Sequence, residues 1–309
     1  MPNIESIMKS SVSNMPRKIL FIVNPNAGKR ISDNIIETIR KEFPTDVYYQ
    51  IAIWKDKNDF DEIIQIFKFQ NYTDVVAVGG DGTVNKVAST AVNTDVALGI
   101  VPIGSGNGLA RTLGLSMNIN EAIKQIVKGK YANIDSGTVN GKPFFCTSGI
   151  GFDAHIGNLF ATSVKRGLKT YVKITAQELF NYRAKYYSIQ FNNRELKKKA
   201  FLITVANAGQ YGNDFFIAPE ASINDGQFHL VILKPFNVLK FPALLTNILF
   251  KKAQKSKSIE TYSSNKIVIT RESPDTIHFD GEPDMQPEEV VFEMHPNSLK
   301  VIVGEKYNQ

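Results

Sequence analysis

Apolar residues recur along this chain in two rhythms, and the change between them falls near residue 137. In the first part, short unbroken apolar runs alternate with stretches spaced at three and four residues. Val75 to Val78 has the uninterrupted, β-branched-rich character of a strand buried on both faces, Lys18 to Val23 reads as another buried strand, and Val47 to Trp54 and Ala97 to Ile103 read as strands. Between them, Ser32 to Glu42 carries Ile35, Ile36 and Ile39 on one helical face, and Phe60 to Phe69 reads as a second helix. Val84, Val87, Ala88 and Ala91 mark a third helix that ends near Asn93. Strands alternating with helices predict a parallel sheet with crossover helices.

From Thr138 onward short alternating runs and turns take over, as in an antiparallel sheet. Val139 to Pro143 reads as a hairpin with Asn140-Gly141 as its turn. Phe201 to Asn207, Phe228 to Leu233, Ile267 to Arg271 and Leu299 to Val303 read as further strands. The expected fold is an N-terminal α/β domain with a parallel-rich sheet over residues 17–137, then a mainly antiparallel β domain over 138–295. Residues 1–16 contain no apolar block and read as a mobile tail.

Two stretches of the second part depart from the strand rhythm. Residues 159–185 read as a long helical region with Lys165, Arg166, Lys169, Lys173, Arg183 and Lys185 among Tyr171, Phe180, Tyr182 and Tyr186. Such a helix either lies on an anionic membrane or is a solvated surface helix whose apolar side packs on the sheet. Residues 236–250 are the most apolar helical stretch, followed by Lys251, Lys252, Lys255 and Lys257. Dipping into a membrane interface and packing into the core explain that pattern equally well.

Composition narrows the classes. The 309 residues suffice for two domains, and 43% hydrophobic with 21% charged residues is ordinary for a globular chain. Net charge +6 favours acidic partners such as nucleotides or anionic lipid, and does not by itself point to nucleic acid. The single cysteine, Cys146, excludes an intrachain disulfide framework, fits a reducing compartment and reads as a buried thiol. His155, His229, His278 and His295 lack metal-ligand spacing and read as structural. No signal-peptide core and no run of about eighteen apolar residues occurs. The expectation is a cytoplasmic protein that meets a membrane, if at all, transiently and from outside the bilayer.

The candidate chemistry sits where strands end. Asn24-Pro25-Asn26-Ala27-Gly28 follows the first strand, with Lys29 and Arg30 just beyond. Gly79-Gly80-Asp81-Gly82-Thr83-Val84-Asn85-Lys86 follows the third, and Gly104-Ser105-Gly106-Asn107-Gly108 the fourth. In a parallel sheet all of these turns lie at the carboxyl edge, where ligands bind. Strand, glycine turn and helix start place free N–H groups at a positive helix end, which suits phosphate. An acid in such a turn repels bare phosphate. Asp81 therefore suggests a metal bridge or a contact with a substrate hydroxyl, and a capping Asp in an ordinary strand-to-helix turn accounts for it as well. The Walker loop is absent, the turn at Gly104 is G-x-G-x-G rather than G-x-G-x-x-G, and no protein-kinase H-R-D or D-F-G occurs.

Asn24-Pro-x-Ala-Gly28, Gly79-Gly-Asp-Gly-Thr-x-Asn85 and Pro102-x-Gly-Ser-Gly-Asn-Gly-Leu-Ala-Arg111 together resemble the diacylglycerol kinase catalytic family. That family includes bacterial soluble lipid kinases and the sphingosine and ceramide kinases. The resemblance runs over nearly the whole chain from Arg17. It implies a nucleotide domain similar in fold to phosphofructokinase and the NAD kinases, with residues 296–309 returning to pack on it. It also implies ATP and magnesium, with the phosphates held by Gly79–Lys86 and Gly104–Asn107, flanked by Asn24 and Asn26. Asp81 would meet magnesium-linked phosphate or the acceptor hydroxyl. In Asp280-Gly281-Glu282, Glu282 matches the family's proton acceptor, and its neighbour Asp280 is a candidate to share that role. Thr147 to Ala154 would lie near the cleft between the domains.

Ala218-Pro-Glu-Ala-Ser-Ile-Asn-Asp225-Gly226-Gln227-Phe228 resembles the family's A-P-x-A-x-x-x-D-G-x-L, with Phe228 in place of leucine. By that likeness Asp225 supplies a carboxylate, and Ser222 and Gln227 supply carbonyl oxygens, to a magnesium ion of structural or allosteric role. A plain Asp-Gly hairpin turn is the other reading. Two departures stand out: Ile53 where the family often has a nucleotide-contacting threonine, and Lys86 where it usually has glutamate. The resulting expectation is an ATP-dependent lipid kinase acting on a diacylglycerol or sphingoid-base type of hydroxyl at a membrane surface, with a homodimer through a sheet edge as a further option. The alternatives are an NAD-kinase-like enzyme for a soluble nucleotide, or a silent lipid- or nucleotide-binding regulator.

Overall fold

The computed structural model describes residues 17–27, 33–44, 47–54, 57–163 and 168–307. The tail at 1–16, and Gly28, Lys29 and Arg30 of the first turn, lie outside the described residues. Strands β1 (Lys18–Val23), β2 (Tyr48–Ile53), β3 (Asp74–Gly79) and β4 (Ala97–Pro102) pair in parallel in the order β2-β1-β3-β4. Helices α1 (Asp33–Glu42), α2 (Lys57–Phe69) and α3 (Asp81–Ala91) connect them. Alternate residues of β1 point to opposite faces. Ile19, Phe21 and Val23 pack with Ile35 and Ile39 of α1 and with Ile123 and Ile126 of α5 (Ile119–Lys128). Leu20 and Ile22 pack with Ile63, Ile64 and Phe67 of α2 and with Val84, Val87 and Ala88 of α3. Both faces of β1, β3 and β4 are covered, which is why these strands read as apolar runs, whereas edge strand β2 is at most half-buried and includes Gln50.

The chain leaves β1 for β2 on one side and then returns to β3 on the other. The order in which strands are added therefore reverses between β1 and β3, a switch point where a crevice forms at the carboxyl ends of such strands. A short helix α4 (Gly108–Thr112) follows the turn after β4. Its successor α5 carries Ile119, Ala122, Ile123, Ile126 and Val127 at helical spacing and buries Ala122, Ile123 and Ile126. Asn118 caps it, accepting from the N–H groups of Asn120 and Glu121.

The second half is a β-sandwich that shares strands with the first. Its strands are β5 (Tyr131–Val139), β6 (Lys142–Phe144), β7 (Thr147–Gly151), β8 (Lys185–Phe191), β9 (Arg194–Ala200), β10 (Leu202–Ala206), β11 (Phe228–Leu233), β12 (Ile259–Ser264), β13 (Lys266–Thr270), β14 (Asp275–Phe279), β15 (Glu282–Gln286) and β16 (Glu289–Ile302). One layer is a six-stranded sheet in the order β12-β11-β10-β7-β14-β15. The other continues the parallel sheet through β16 into β13, β8 and β9. Long β16 pairs antiparallel with β13 at one end and parallel with β4 at Val301–Leu98 at the other, with a register shift between His295 and Leu299 along β5. The boundaries at 137/138 and 295/296 thus fall inside β5 and β16. Ile150, Val205, Leu230 and Phe279 of one layer meet Ile189, Ile269 and Phe292 of the other in the sandwich core.

Two expectations need correction. Residues 159–185 are not one helix. Helix α6 (Phe152–Thr162) and helix α7 (Leu168–Asn181) are separate, and Lys185 begins β8. The charged edge hairpin β8–β9 begins where that region ends; its Asn192-Asn193 turn has φ of 47° and 58° at the two positions, as tight two-residue hairpins require. Residues 236–250 hold only a nine-residue helix, α8 (Phe241–Leu249), preceded by a single 3₁₀ turn at Val238–Lys240. Helices α6, α7 and α8 share a core cluster on the outer face of the six-stranded sheet.

Candidate active site

The crevice between β1 and β3 collects the predicted phosphate-binding turns. Asn24 N–H donates to Val78 O at 3.1 Å, and Ile103 N–H to Gly79 O at 2.9 Å, so the three strand ends are held level. Asn24 Nδ2 donates to Thr83 Oγ1 at 2.9 Å, and Asn26 N–H donates to Asn24 Oδ1 at 2.9 Å. Thr83 and Val84 are buried on the inner face of α3. Gly80 is the N-cap of α3 and supplies no side-chain cap to the donors of the first turn. That donor set fits a polyphosphate.

The glycines serve a second purpose that spacing did not show. A Cβ on Gly104 would lie 2.6 Å from Gly80 Cα, so the two turns touch backbone to backbone. Asp81 locks this contact. Its Oδ2 accepts from Asn107 N–H at 2.9 Å and its Oδ1 from Gly108 N–H at 2.8 Å. Asn107 takes the left-handed conformation (φ 54°), and its Nδ2 donates back to Gly104 O at 2.8 Å. Burial pushes the Asp81 carboxyl above its ordinary range, these two N–H donors and its own N–H pull it back, and the nearby Asp280 pushes it up again. Each Asp81 oxygen keeps further lone-pair capacity for a cation or a hydroxyl. Ser105 is exposed at the tip of the turn, beside Gly106. Lys86 is exposed one turn into α3, with Nζ 4.9 Å from the centre of the Trp54 ring. The Lys86 ammonium thus rests on an indole face.

The opposite wall comes from the β14–β15 hairpin. Asp280 (φ 49°) and Gly281 (φ 91°) form its two-residue turn, a conformation that an Asp-Gly pair tolerates. Asp280 is engaged on both oxygens. Oδ2 accepts from Asn85 Nδ2 at 2.8 Å and Phe145 N–H at 2.9 Å; Oδ1 accepts from Cys146 N–H at 2.7 Å and Thr147 N–H at 3.1 Å. Burial pushes its carboxyl up against these four donors. This is the geometry of a positioning residue that ties α3, β7 and the hairpin together, rather than of a second proton acceptor. Glu282, two residues on, is exposed. Its carboxylate lies over the first turn of α3, where a Cβ on Gly82 would come within 2.4 Å of Oε1. Gly82 is therefore the seat of Glu282. A cavity of about 10 Å³, room for one water, separates the walls and is lined by Asp81, Asn85, Cys146, Tyr211 and Asp280. Burial and the two aspartates push the Cys146 thiol well up, so it stays protonated.

Sequence reasoning missed a cluster behind the hairpin. His278 is buried, and its Nε2 lies 3.2 Å from Asp153 Oδ2. Gly281 N–H approaches His278 Nδ1 at 3.3 Å, so the network assigns the proton to Nε2, facing Asp153. The same Asp153 oxygen accepts from Tyr211 OH at 3.0 Å and Thr204 Oγ1 at 3.3 Å. His278 thus props the Asp280–Glu282 turn from below. Asp153 stood in the Thr147–Ala154 segment, but only the pairing of β7 with β14 brings it to His278. The predicted metal turn has other neighbours. Asp225 Oδ1 accepts from Gln227 N–H at 2.9 Å, and its Oδ2 lies 3.7 Å from His229 Nε2. Ser222 Oγ donates to Asn224 Oδ1 at 2.7 Å. Buried Asp135 accepts from Gly226 N–H at 2.7 Å and Asn297 N–H at 2.8 Å. Among the described residues no group of three His, Cys, Asp or Glu side chains converges there or elsewhere to hold a metal ion.

A phosphate-suited parallel-sheet edge facing an acidic hairpin of a β-sandwich places the chain in the two-domain class that includes the NAD kinases and diacylglycerol kinases. In line with this, the fold matches an NAD kinase from Archaeoglobus fulgidus in complex with ATP (TM-score 0.54, 14% identity, 94% of this chain and 95% of that one). It matches a crystal structure of a diacylglycerol kinase from Bacillus anthracis str. Sterne more fully (TM-score 0.73, 22% identity, 94% and 98%). Residues 18–139 match the diacylglycerol kinase catalytic domain, and residues 147–303 match the YegS C-terminal NAD kinase beta sandwich-like domain. Among curated relatives, a protein of Yersinia enterocolitica named probable lipid kinase YegS-like is 26% identical over 93% of this chain and 96% of its own length. A protein of the same name from Chromohalobacter salexigens is 30% identical over 68% and 69%. The diacylglycerol kinase of Bacillus subtilis is 25% identical over 86% and 90%. The chain belongs to the diacylglycerol kinase catalytic-domain family, among its YegS-like lipid kinases.

Proposed function

We propose that this protein transfers the γ-phosphate of ATP to a hydroxyl group of a lipid presented at a membrane surface. The observation that carries this reading is the seating of Glu282 on Gly82. A free carboxylate stands at the first turn of the helix whose first-turn donors suit phosphate. An acceptor hydroxyl entering there would lose its proton to Glu282 as its oxygen bonds to the γ-phosphorus and ADP departs. Asp280 positions Glu282, and Asp81 holds the two phosphate turns in register. Magnesium bound with the nucleotide would offset phosphate charge, and the spare lone pairs of Asp81 are the chain's nearest contribution to it. The turn carrying Ser222, Asp225 and Gln227 is a candidate for a separate magnesium ion of structural role.

The acceptor class is that of diacylglycerol or a sphingoid base, and the contact with the membrane is peripheral. No helix among the described residues is long and apolar enough to cross a membrane. The test is transfer of labelled γ-phosphate to a panel of diacylglycerol, sphingoid bases, phosphatidylglycerol and NAD. Labelling of a lipid is the expected result; labelling of NAD with no lipid product contradicts the reading. Glu282→Gln should lower kcat by about 10²–10⁴-fold with ATP affinity kept. A fully active variant would remove Glu282 from the role of proton acceptor.

A further inference from the structure

We propose that residues 238–252 form a docking element for anionic phospholipid surfaces, placed beside the cleft so that a bound bilayer presents its headgroups to it. This rests on the lipid-kinase reading above. Leu239, Phe250 and Leu249 are 86%, 68% and 41% exposed, while the only fully buried residue of α8 is Leu244. One exposed leucine is ordinary; three large apolar side chains around a nine-residue helix are not.

Charge identifies the occupant. Residues 236–259 carry Lys240, Lys251, Lys252, Lys255 and Lys257, all exposed, and contain no Asp or Glu. A surface with apolar tips ringed by uncompensated lysines matches a bilayer interface, with acyl chains beneath anionic headgroups. The lysine stems can lie along the apolar layer while their ammonium groups reach phosphates. A helix this short cannot enter deeper than the interface.

Position ties the surface to the site. Lys251 (φ 57°) places Nζ 4.3 Å from the centre of the Phe216 ring. Phe216 belongs to the loop after β10, in which Tyr211 N–H donates to Phe215 O at 3.0 Å. That loop reaches the phosphate side, since Asn213 N–H donates to Gly106 O at 3.3 Å and Asp214 pairs with Arg111 at 3.6 Å. Its Tyr211 lines the central cavity. From the docking surface to the catalytic cavity is thus one loop.

The experiment is co-sedimentation of the full chain with vesicles of phosphatidylcholine alone and of equal phosphatidylcholine and phosphatidylglycerol. The wild type should bind the mixed vesicles and release in high salt. Lys252→Gln/Lys255→Gln should bind about 25-fold more weakly. Leu239→Ser/Phe250→Ser should bind weaker by at least about tenfold per residue. These side chains are exposed, so unfolding midpoints should stay at the wild-type value, which verifies folding of the variants. Transfer to a short-chain acceptor dispersed as monomers should be unchanged in both variants. Wild-type binding by both variants overturns the docking element. So does a wild-type dimer that Leu239→Ser/Phe250→Ser dissociates without change in vesicle binding, because the surface then serves a second copy. Vesicle binding lost in both variants, from a wild type that phosphorylates no lipid, upholds docking and fails the kinase reading alone.

Discussion

The turn at Gly79–Asn85 and the turn at His278–Glu282 face one another, and they divide their acids differently. In the first, Asp81 is half-buried and accepts two backbone N–H groups from the neighbouring glycine turn. In the second, Asp280 is half-buried and accepts four donors, while Glu282 two residues on is exposed and rests on Gly82. The two engaged acids hold backbone in place, and the exposed one is left to react. An acid in a glycine-rich turn therefore does not by itself mark a reacting group; what matters is how many donors already occupy its oxygens. A carboxylate with four donors is poorly placed to take a proton, because the protonated form would aim an O–H at N–H groups.

That division can be broken in graded ways. Beyond the loss already stated for Glu282→Gln, the largest effect should come from Asp280→Asn. The new amide NH₂ must face two of the four donors, so unfolding free energy should fall by about 2–3 kcal/mol in urea titration. A stability loss no larger than that of Glu282→Gln would show that the two acids are not differentiated. Next, Gly82→Ala should leave the fold intact, since alanine is the better helix former, yet push Glu282 off its seat. We expect about tenfold lower kcat with unchanged KM for ATP, because a slightly misplaced catalytic group costs rate more than binding.

The smallest effect concerns pH. The Asp81 carboxyl is raised in the folded state, chiefly by burial. It therefore favours the fold below its unfolded value near about 4, and that contribution is lost as pH rises through the raised folded value. Asp81→Asn removes the titration. The stability of wild type minus that of Asp81→Asn should decline as pH is raised from about 4, measured by urea unfolding at several pH values. A difference that grows with pH over that window would contradict the burial account.

Much of this was legible in the chain, for a physical reason. Strands covered on both faces, such as β1 and β3, must be apolar throughout, and they announce themselves. The turn at Asn140-Gly141 was equally clear, and both residues take positive φ (49° and 81°). The hairpin β8–β9 was not, because its outer strand reads Arg-Glu-Leu-Lys-Lys-Lys-Ala and its apolar partner ran on from a helical stretch. Helix α5 carried two signals, the cap Asn118 followed three residues later by Glu121, and Ile119, Ala122, Ile123, Ile126 and Val127 at helical spacing. At the site, the glycine turns were visible, but the contact of Gly80 with Gly104 depends on parallel neighbours β3 and β4. The support of Gly281 by His278 and Asp153 depends on β7 lying beside β14. A scattered histidine gives no hint of that partner.

The central claim is that Gly82 is glycine in order to seat Glu282 as the proton acceptor. A double-mutant cycle tests it most directly, with kcat for lipid phosphorylation measured in wild type, Gly82→Ala, Glu282→Gln and the pair. If the account holds, Gly82→Ala slows the wild type by about tenfold and leaves the Glu282→Gln enzyme no slower than it already is. Equal fractional losses in both backgrounds would mean that the glycine acts independently of Glu282, and would contradict the account.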